Sequence, residues 1–207
     1  MYDDEKWASI AERIAQGEWD AIIMSPPCST WSRAVWSNKL GPRPVRSRDF
    51  PHGFPWLVGE LKEKADIGTT LVLRCIEVLE IAPASTVCVW EHPEDLGRAR
   101  NGVPASIWQL EPLRKVAKKR GMETIVFHQC TYGANYPKPT RLLSDADGLL
   151  QKGHPGWPTF NKEGYYMGPL PRYCGHQHPP LIGANPTGGF KTGPTAAYPE
   201  AMNQMLA

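Results

Sequence analysis

The chain has 207 residues, 41% of them hydrophobic, 10% aromatic and 21% charged, the profile of one globular domain able to bury a sizeable core. A formal charge of +2 is too small to argue for nucleic-acid binding by net electrostatics. Five cysteines, odd in number and without framework spacing, argue against a disulfide scaffold and for a reducing compartment. With no apolar run long enough to span a membrane, the expected setting is cytoplasmic.

In "EKWASIAERIAQG", Trp7, Ile10, Ala11 and Ile14 recur at helical spacing and Gly17 follows as a stop. "WDAIIMS" is a short continuous apolar run, the pattern of a strand buried in a parallel sheet. "ADIGTTLVLRCIEVLEIAP" predicts a long helix stopped by Pro83, and "TVCVWE" a strand rich in β-branched residues. "EPLRKVAKKRG" continues as a helix, "ETIVFHQ" as a strand and "TRLLS" as a further strand, with a last helix near 198–206 opening around Pro199. This alternation predicts an α/β fold with a mostly parallel sheet of about four strands.

The 21 prolines and 19 glycines crowd into 41–59, 132–139 and 153–194, which predicts long loops around a compact centre. The expected organisation is a single domain over 1–207: an α/β core at 1–151, then a proline-rich wrap and C-terminal helix at 152–207. "NPTGG" at 185–189 has no strand leading into it and no helix after it, and is read as a turn.

Two stretches are basic. Arg33, Lys39, Arg43, Arg46 and Arg48 occur before the next acid, Asp49, in a loop where phosphate contact is one reading. "RKVAKKR" at 114–120 is read as a solvated helix face.

The stretch "SPPCSTWSRAVW" at 25–36 carries the sharpest chemistry. Ligands of an open α/β sheet bind beyond the carboxyl ends of its strands. The "AIIM" strand ends at Ser25, placing Cys28 at that edge, and "TVCVWE" ends at Glu91, so a thiol and a carboxylate should face one pocket. Pro26 and Pro27 remove two amide hydrogens and stiffen the loop. Cys75 and Cys88 fall within apolar periodicity and are read as inert core thiols.

"PPCSTWSRA", "VWEHPEDLG" and "QCTYGANYPKPTRLL", in this order and at strand ends, resemble the DNA (cytosine-5) methyltransferases. The closest likeness is to a compact, divergent branch with a "KPT" element and a C-terminal "YP" segment, here "TAAYPEAMNQMLA". The resemblance covers roughly 18–144 and the tail, and implies a truncated Rossmann-like methyltransferase sheet with helices on its faces. It implies that Cys28 adds as a thiolate to carbon 6 of a cytosine flipped out of DNA, that Glu91 holds the ring, and that S-adenosylmethionine donates the methyl group. Pro27, Ser29, Arg33, His92, Lys138 and Arg141 become candidate substrate-binding residues.

The chain departs from that pattern in three places. Glu91 is followed by His92-Pro93 where the family has Asn, and the two-arginine element is replaced by Lys138 and Thr140, with Arg141 one step beyond. The Phe-x-Gly-x-Gly turn that holds the cofactor has no counterpart, because a single helix precedes "AIIM". A second polypeptide completing the cofactor site, a fragmentary chain, or a function without the cofactor would each account for this, and "AIIM" is then expected at an exposed sheet edge. The short region after the Tyr-Gly segment predicts weak target-sequence specificity. Two other classes stay open: a catalytically inactive nucleic-acid-binding or regulatory module, and a cysteine hydrolase with His92 as its base.

Finally, "CGHQHPP" places Cys174, His176 and His178 at alternate positions, with His154 and Cys130 as possible neighbours. Zinc accepts such ligands, but the spacing is not that of a paired finger, and alternation gathers side chains on one face only in an extended segment. The expectation is therefore no metal site.

Overall fold

The computed structural model describes residues 3–37, 41–179, 181, 183 and 189–207. Lys39 of the first basic stretch and residues 185–188 of the "NPTGG" turn lie outside the described residues.

Helix α1 (Asp4–Ala15) is capped by Asp3, whose side chain accepts from the backbone of Glu5 and Lys6, and it buries Trp7 and Ile14. Strand β1 (Ala21–Met24) leads through the Cys28 loop and a short helix α2 (Ala34–Ser37) to the long helix α3 (Gly59–Ile81). The chain then returns as β2 (Val87–Pro93), parallel to β1, with Ala21 opposite Val87 and Met24 opposite Trp90. Helix α4 (Glu111–Arg120) carries it to β3 (Glu123–His128), and β4 (Pro139–Ser144) inserts between β2 and β3, antiparallel to both. A two-residue strand β5 (His154–Pro155) pairs with the outer side of β3, which gives the order β1-β2-β4-β3-β5. The ribbon β6 (Thr159–Phe160) and β7 (Tyr166–Gly168) and the helix α5 (Glu200–Leu206) complete the described elements.

The α/β class and the places of α1, β1, β2, α4, β3, β4 and α5 agree with the sequence, whereas α3 begins earlier, at Gly59, the elements α2 and β5 to β7 are additional, and the mostly parallel sheet of about four strands is not found. Three of the four strand pairings are antiparallel and the sheet has five strands. No helix separates β3 from β4, and their link, 129–138, is shorter than the roughly dozen residues that a parallel crossover needs. The fifth strand comes from the wrap. Nevertheless β1, β2 and β3 share one direction, because β2 and β3 are both antiparallel to β4. Their carboxyl ends and the start of β4 therefore meet at a single edge of the sheet.

The sheet buries both faces. On one, Trp7, Val72, Leu79, Trp90, Trp108, Leu113 and Leu143 join α1, α3 and α4 to the strands. On the other, Val89, Ile125, Phe127 and Leu142 pack under Met202 of α5. As expected, β1 is an outermost strand, and Ile23 on it is half exposed.

The run 114–120 is only in part a solvated face. Arg120 donates to the carbonyls of Ala82 (2.6 Å) and Thr86 (3.0 Å) and pairs with Asp145 (2.6 Å), which clamps α4 to the end of α3. Arg114 donates to the Trp108 carbonyl and lies over Trp157, while Lys115, Lys118 and Lys119 point to solvent. No helix among the described residues is long and apolar enough to cross a membrane.

Candidate active site

After Pro27 the backbone turns on itself, with the Cys28 carbonyl accepting from the amides of Trp31 (3.0 Å) and Ser32 (2.9 Å). The turn is fixed to α3 through Trp31, whose indole donates to the Gly68 carbonyl at 3.1 Å and is buried under the Arg46 guanidinium, 3.9 Å from the ring centre. Gly68 is required by this close approach, since a β-carbon there would sit 2.6 Å from the Thr30 hydroxyl. Arg46 is itself fully buried and donates to the Pro51 and Ala65 carbonyls, both at 2.6 Å. Arg48 pairs with Asp95 and stacks on Phe160. Arg33 gives one donor to the Leu96 carbonyl at 3.3 Å, so within the described part of the first basic stretch its remaining donors and Arg43 are left for a phosphate.

Because Met24 stands opposite Trp90, Ser25 emerges beside Glu91. The Ser25 hydroxyl lies 2.8 Å and the Tyr198 hydroxyl 2.7 Å from Oε2 of Glu91, and the two hydroxyls are 2.7 Å apart. Two hydroxyl protons serve three short oxygen contacts. The other carboxylate oxygen, Oε1, is buried with no hydrogen-bond partner among the described residues. A buried acceptor in that state is costly unless something meets it.

Cys28, half-buried, lies in the field of these groups. Burial pushes its thiol up from the usual range, Lys138 draws it down, and Glu91 raises it further. Lys138 is held by the Thr195 carbonyl at 2.8 Å and lies 5.9 Å from the Tyr198 ring centre. Burial and the nearby Glu91 also raise the Tyr198 phenol. A cleft of about 530 Å³ opens here, lined by Cys28, Ser29, Arg33, Lys138, Phe190 and Thr195 among others. A second cleft, of about 770 Å³, shares Arg33, Leu96 and Pro139 with it and runs toward Tyr165 and Arg172. Pro27 is exposed on the flank of the loop.

The sequence-predicted residues divide sharply. Cys28, Glu91, Ser29, Arg33 and Lys138 gather at the carboxyl edge of the sheet; His92 and Arg141 are elsewhere, and this corrects their reading as substrate-binding residues. Strand alternation sends His92 to the face opposite Glu91, where it is buried against Trp108 with its pKa driven down to about 3 by burial. That placement also removes it as the base of a cysteine hydrolase. Arg141, opposite His92 on β4, is fully buried and gripped by Glu94 through two contacts of 2.6 and 2.9 Å. It also donates to Thr124 and Gly156, so it braces the core and leaves no donor directed to a phosphate.

Ser25, Tyr198 and Thr195 were not anticipated as site residues. Ser25 stood in the quoted loop and Tyr198 in the "YP" segment, but nothing in the pattern said that the tail folds back over β2. Cys75 and Cys88 are core thiols as expected, pushed up by burial to about 12 and about 11. Away from the cleft, Cys130 is brought to Cys174, His176 and His178, whereas His154 on β5 is not part of that cluster. Comparison with protein-family models, curated proteins and solved structures returns no match to this chain.

Proposed function

We propose that the chain is a DNA cytosine-5 methyltransferase-like protein in which the Cys28 thiolate adds to carbon 6 of a cytosine turned out of the helix. The observation that carries this reading is the corner itself. A half-buried thiol shares a cleft with Lys138 and lies in the field of Glu91, whose carboxyl group two hydroxyls hold by one oxygen while the other has no partner among the described residues.

Cytosine is a weak electrophile at carbon 6. Addition succeeds when the ring's displaced electron pair is stabilised through N3 and the exocyclic amine, the positions a carboxyl group can hydrogen-bond. Glu91 takes that role, with Ser25 and Tyr198 fixing its plane. Sulfur bonds to carbon 6, the carbon 5–carbon 6 pair moves into the ring, and carbon 5 becomes nucleophilic; expulsion of the thiolate reverses the step. Lys138 favours the thiolate, and Arg33, which lines both clefts, takes a flanking phosphate in this reading. The cleft, about 530 Å³, is of the size that encloses a small planar ligand.

S-adenosylmethionine is the methyl donor that the resemblance implies, and the described residues do not fit it. Strand β1 is the outermost strand, and no strand running into a glycine-rich turn lies beside it among the described residues. No methyl-transfer step is therefore assigned to this chain, and a second polypeptide docking along β1 is the reading that keeps the chemistry whole. A nucleic-acid-binding module without turnover has one observation in its favour, the raised thiol of Cys28.

One experiment separates the two and does not depend on the methyl donor. Thiolate addition makes carbon 5 basic, so single-stranded DNA tritiated at cytosine carbon 5 should release its label to water in the presence of the protein. Release that Cys28→Ser abolishes, with DNA affinity kept within about twofold, supports addition. Folded wild-type protein that binds the DNA and releases no label establishes the binding module instead.

A further inference from the structure

The proline-rich wrap crosses the sheet edge near His128, whose ring nitrogens lie 3.0 Å from the carbonyls of Pro137 and Pro171. Just beyond, four soft ligands converge. Cys130 sits on a single 3-10 turn (Gln129–Tyr132) directly after β3, and Cys174, His176 and His178 come from the wrap. One potential ligand atom from each lies within 4.8 Å of every other. The His176 Nδ1 is 3.4 Å from the Cys130 sulfur, and the two histidine rings are 5.8 Å apart at 74° to each other. The Nε2 of His178 is buried with no hydrogen-bond partner among the described residues, and no disulfide joins the two cysteines.

We infer that Cys130, Cys174, His176 and His178 form a structural zinc site that pins the wrap to the end of β3. Two thiolates and two imidazoles are a donor set that selects tetrahedral zinc. Zinc–sulfur and zinc–nitrogen bonds of about 2.3 and 2.0–2.1 Å place tetrahedral ligand atoms roughly 3.3–3.8 Å apart, so the observed cluster closes onto an ion by side-chain movements of about an ångström. With four protein ligands there is no open position, which makes the role structural. Binding replaces the two thiol protons, which leave to solvent, and the site is neutral with both imidazoles uncharged.

Alternate ligands gather on one face only in an extended segment, and this segment is not extended. Gly175 has φ +79°, a left-handed conformation that side chains rarely adopt, and the bend lets successive ligands surround a point instead of lining a face. The fourth ligand comes from a distant part of the chain, brought by the anchoring of Pro171 at His128.

The test uses the full chain purified under reducing conditions, supplied with zinc and dialysed exhaustively. Metal analysis should find roughly one zinc per chain, and alkylation followed by peptide mapping should show Cys130 and Cys174 protected until a chelator is added. The cobalt-substituted protein should show intense visible bands of tetrahedral cobalt with thiolate charge transfer. Cys174→Ser should lose the metal, whereas His154→Ala should retain it. Folded wild type that holds no stoichiometric metal, a weak octahedral cobalt spectrum, or equal alkylation of Cys130 and Cys174 before and after chelation would each overturn the site. The cobalt spectrum and the mapping need no variant, so a misfolded Cys174→Ser leaves the test intact.

Discussion

On the face of the sheet beneath α1, α3 and α4, β2 presents Trp90 and His92 to a wall of tryptophan and aliphatic side chains, where the Trp90 indole nitrogen and both His92 ring nitrogens have no hydrogen-bond partner among the described residues. On the other face the same strand presents Val89 and then Glu91, whose carboxylate is left half-satisfied at the rim under Tyr198. Neighbouring residues of one strand thus meet opposite treatment. His92 is stripped of charge and of partners, and Glu91 keeps an acceptor in reserve. The thickness of the sheet separates His92 from Glu91, and the two sides meet again at the end of β2, where Glu94 lines the cleft that holds Cys28.

The comparison is broken most forcefully at the Glu94–Arg141 pair. Glu94→Ala leaves a fully buried guanidinium without its carboxylate and should cost about 3–5 kcal/mol. Urea unfolding is expected to show this as a lower midpoint. Next comes His92. Its folded pKa of about 3 lies below the unfolded value near 6.5, so the unfolded chain binds the extra proton between these limits. Stability should therefore fall as pH drops from about 6.5 toward 3, and His92→Gln should flatten that slope in urea midpoints measured across the window.

A smaller effect is expected from Gly68→Ala. The added methyl meets the Thr30 hydroxyl at 2.6 Å and Arg46 at 3.1 Å and should cost about 1–3 kcal/mol. The Cys28 loop would shift, and thiol alkylation would change in rate while global unfolding stayed cooperative. The subtlest change is electrostatic. The pH midpoint for Cys28 alkylation should lie above that of an ordinary thiol, move higher in Lys138→Gln and lower in Glu91→Gln. Movement of both variants in the same direction would contradict the assigned neighbours.

Helices α1, α3 and α4 and strands β2 and β3 were legible because their apolar residues recur in runs, and those helices stop at Gly or Pro, whereas the four-residue α2 has no such run. The direction of β4 was also legible, since the link 129–138 is too short for a parallel return, but the helix-strand rhythm of the preceding residues obscured it. Strand alternation alone separates Glu91 from His92, a distinction hidden when both are read as one loop. Arg141 looked like a free cation because nothing local announces Glu94, which meets it from the end of the neighbouring strand β2. Cys130 and Tyr198 reach their partners through long returns of the wrap and tail, and contacts of that kind leave no periodic trace in a sequence.

Cys28 is carried by a loop bolted to α3 through Trp31 and Gly68, whereas Glu91 belongs to β2 and is held by Ser25, the residue directly after β1. The thiol and the carboxyl group are therefore registered by different parts of the fold, one by a helix and the other by a strand. A substitution that disturbs the Trp31–Gly68 contact reaches Cys28 without touching Glu91, so the alignment of the corner is inherited from a helix that contributes none of the groups in it.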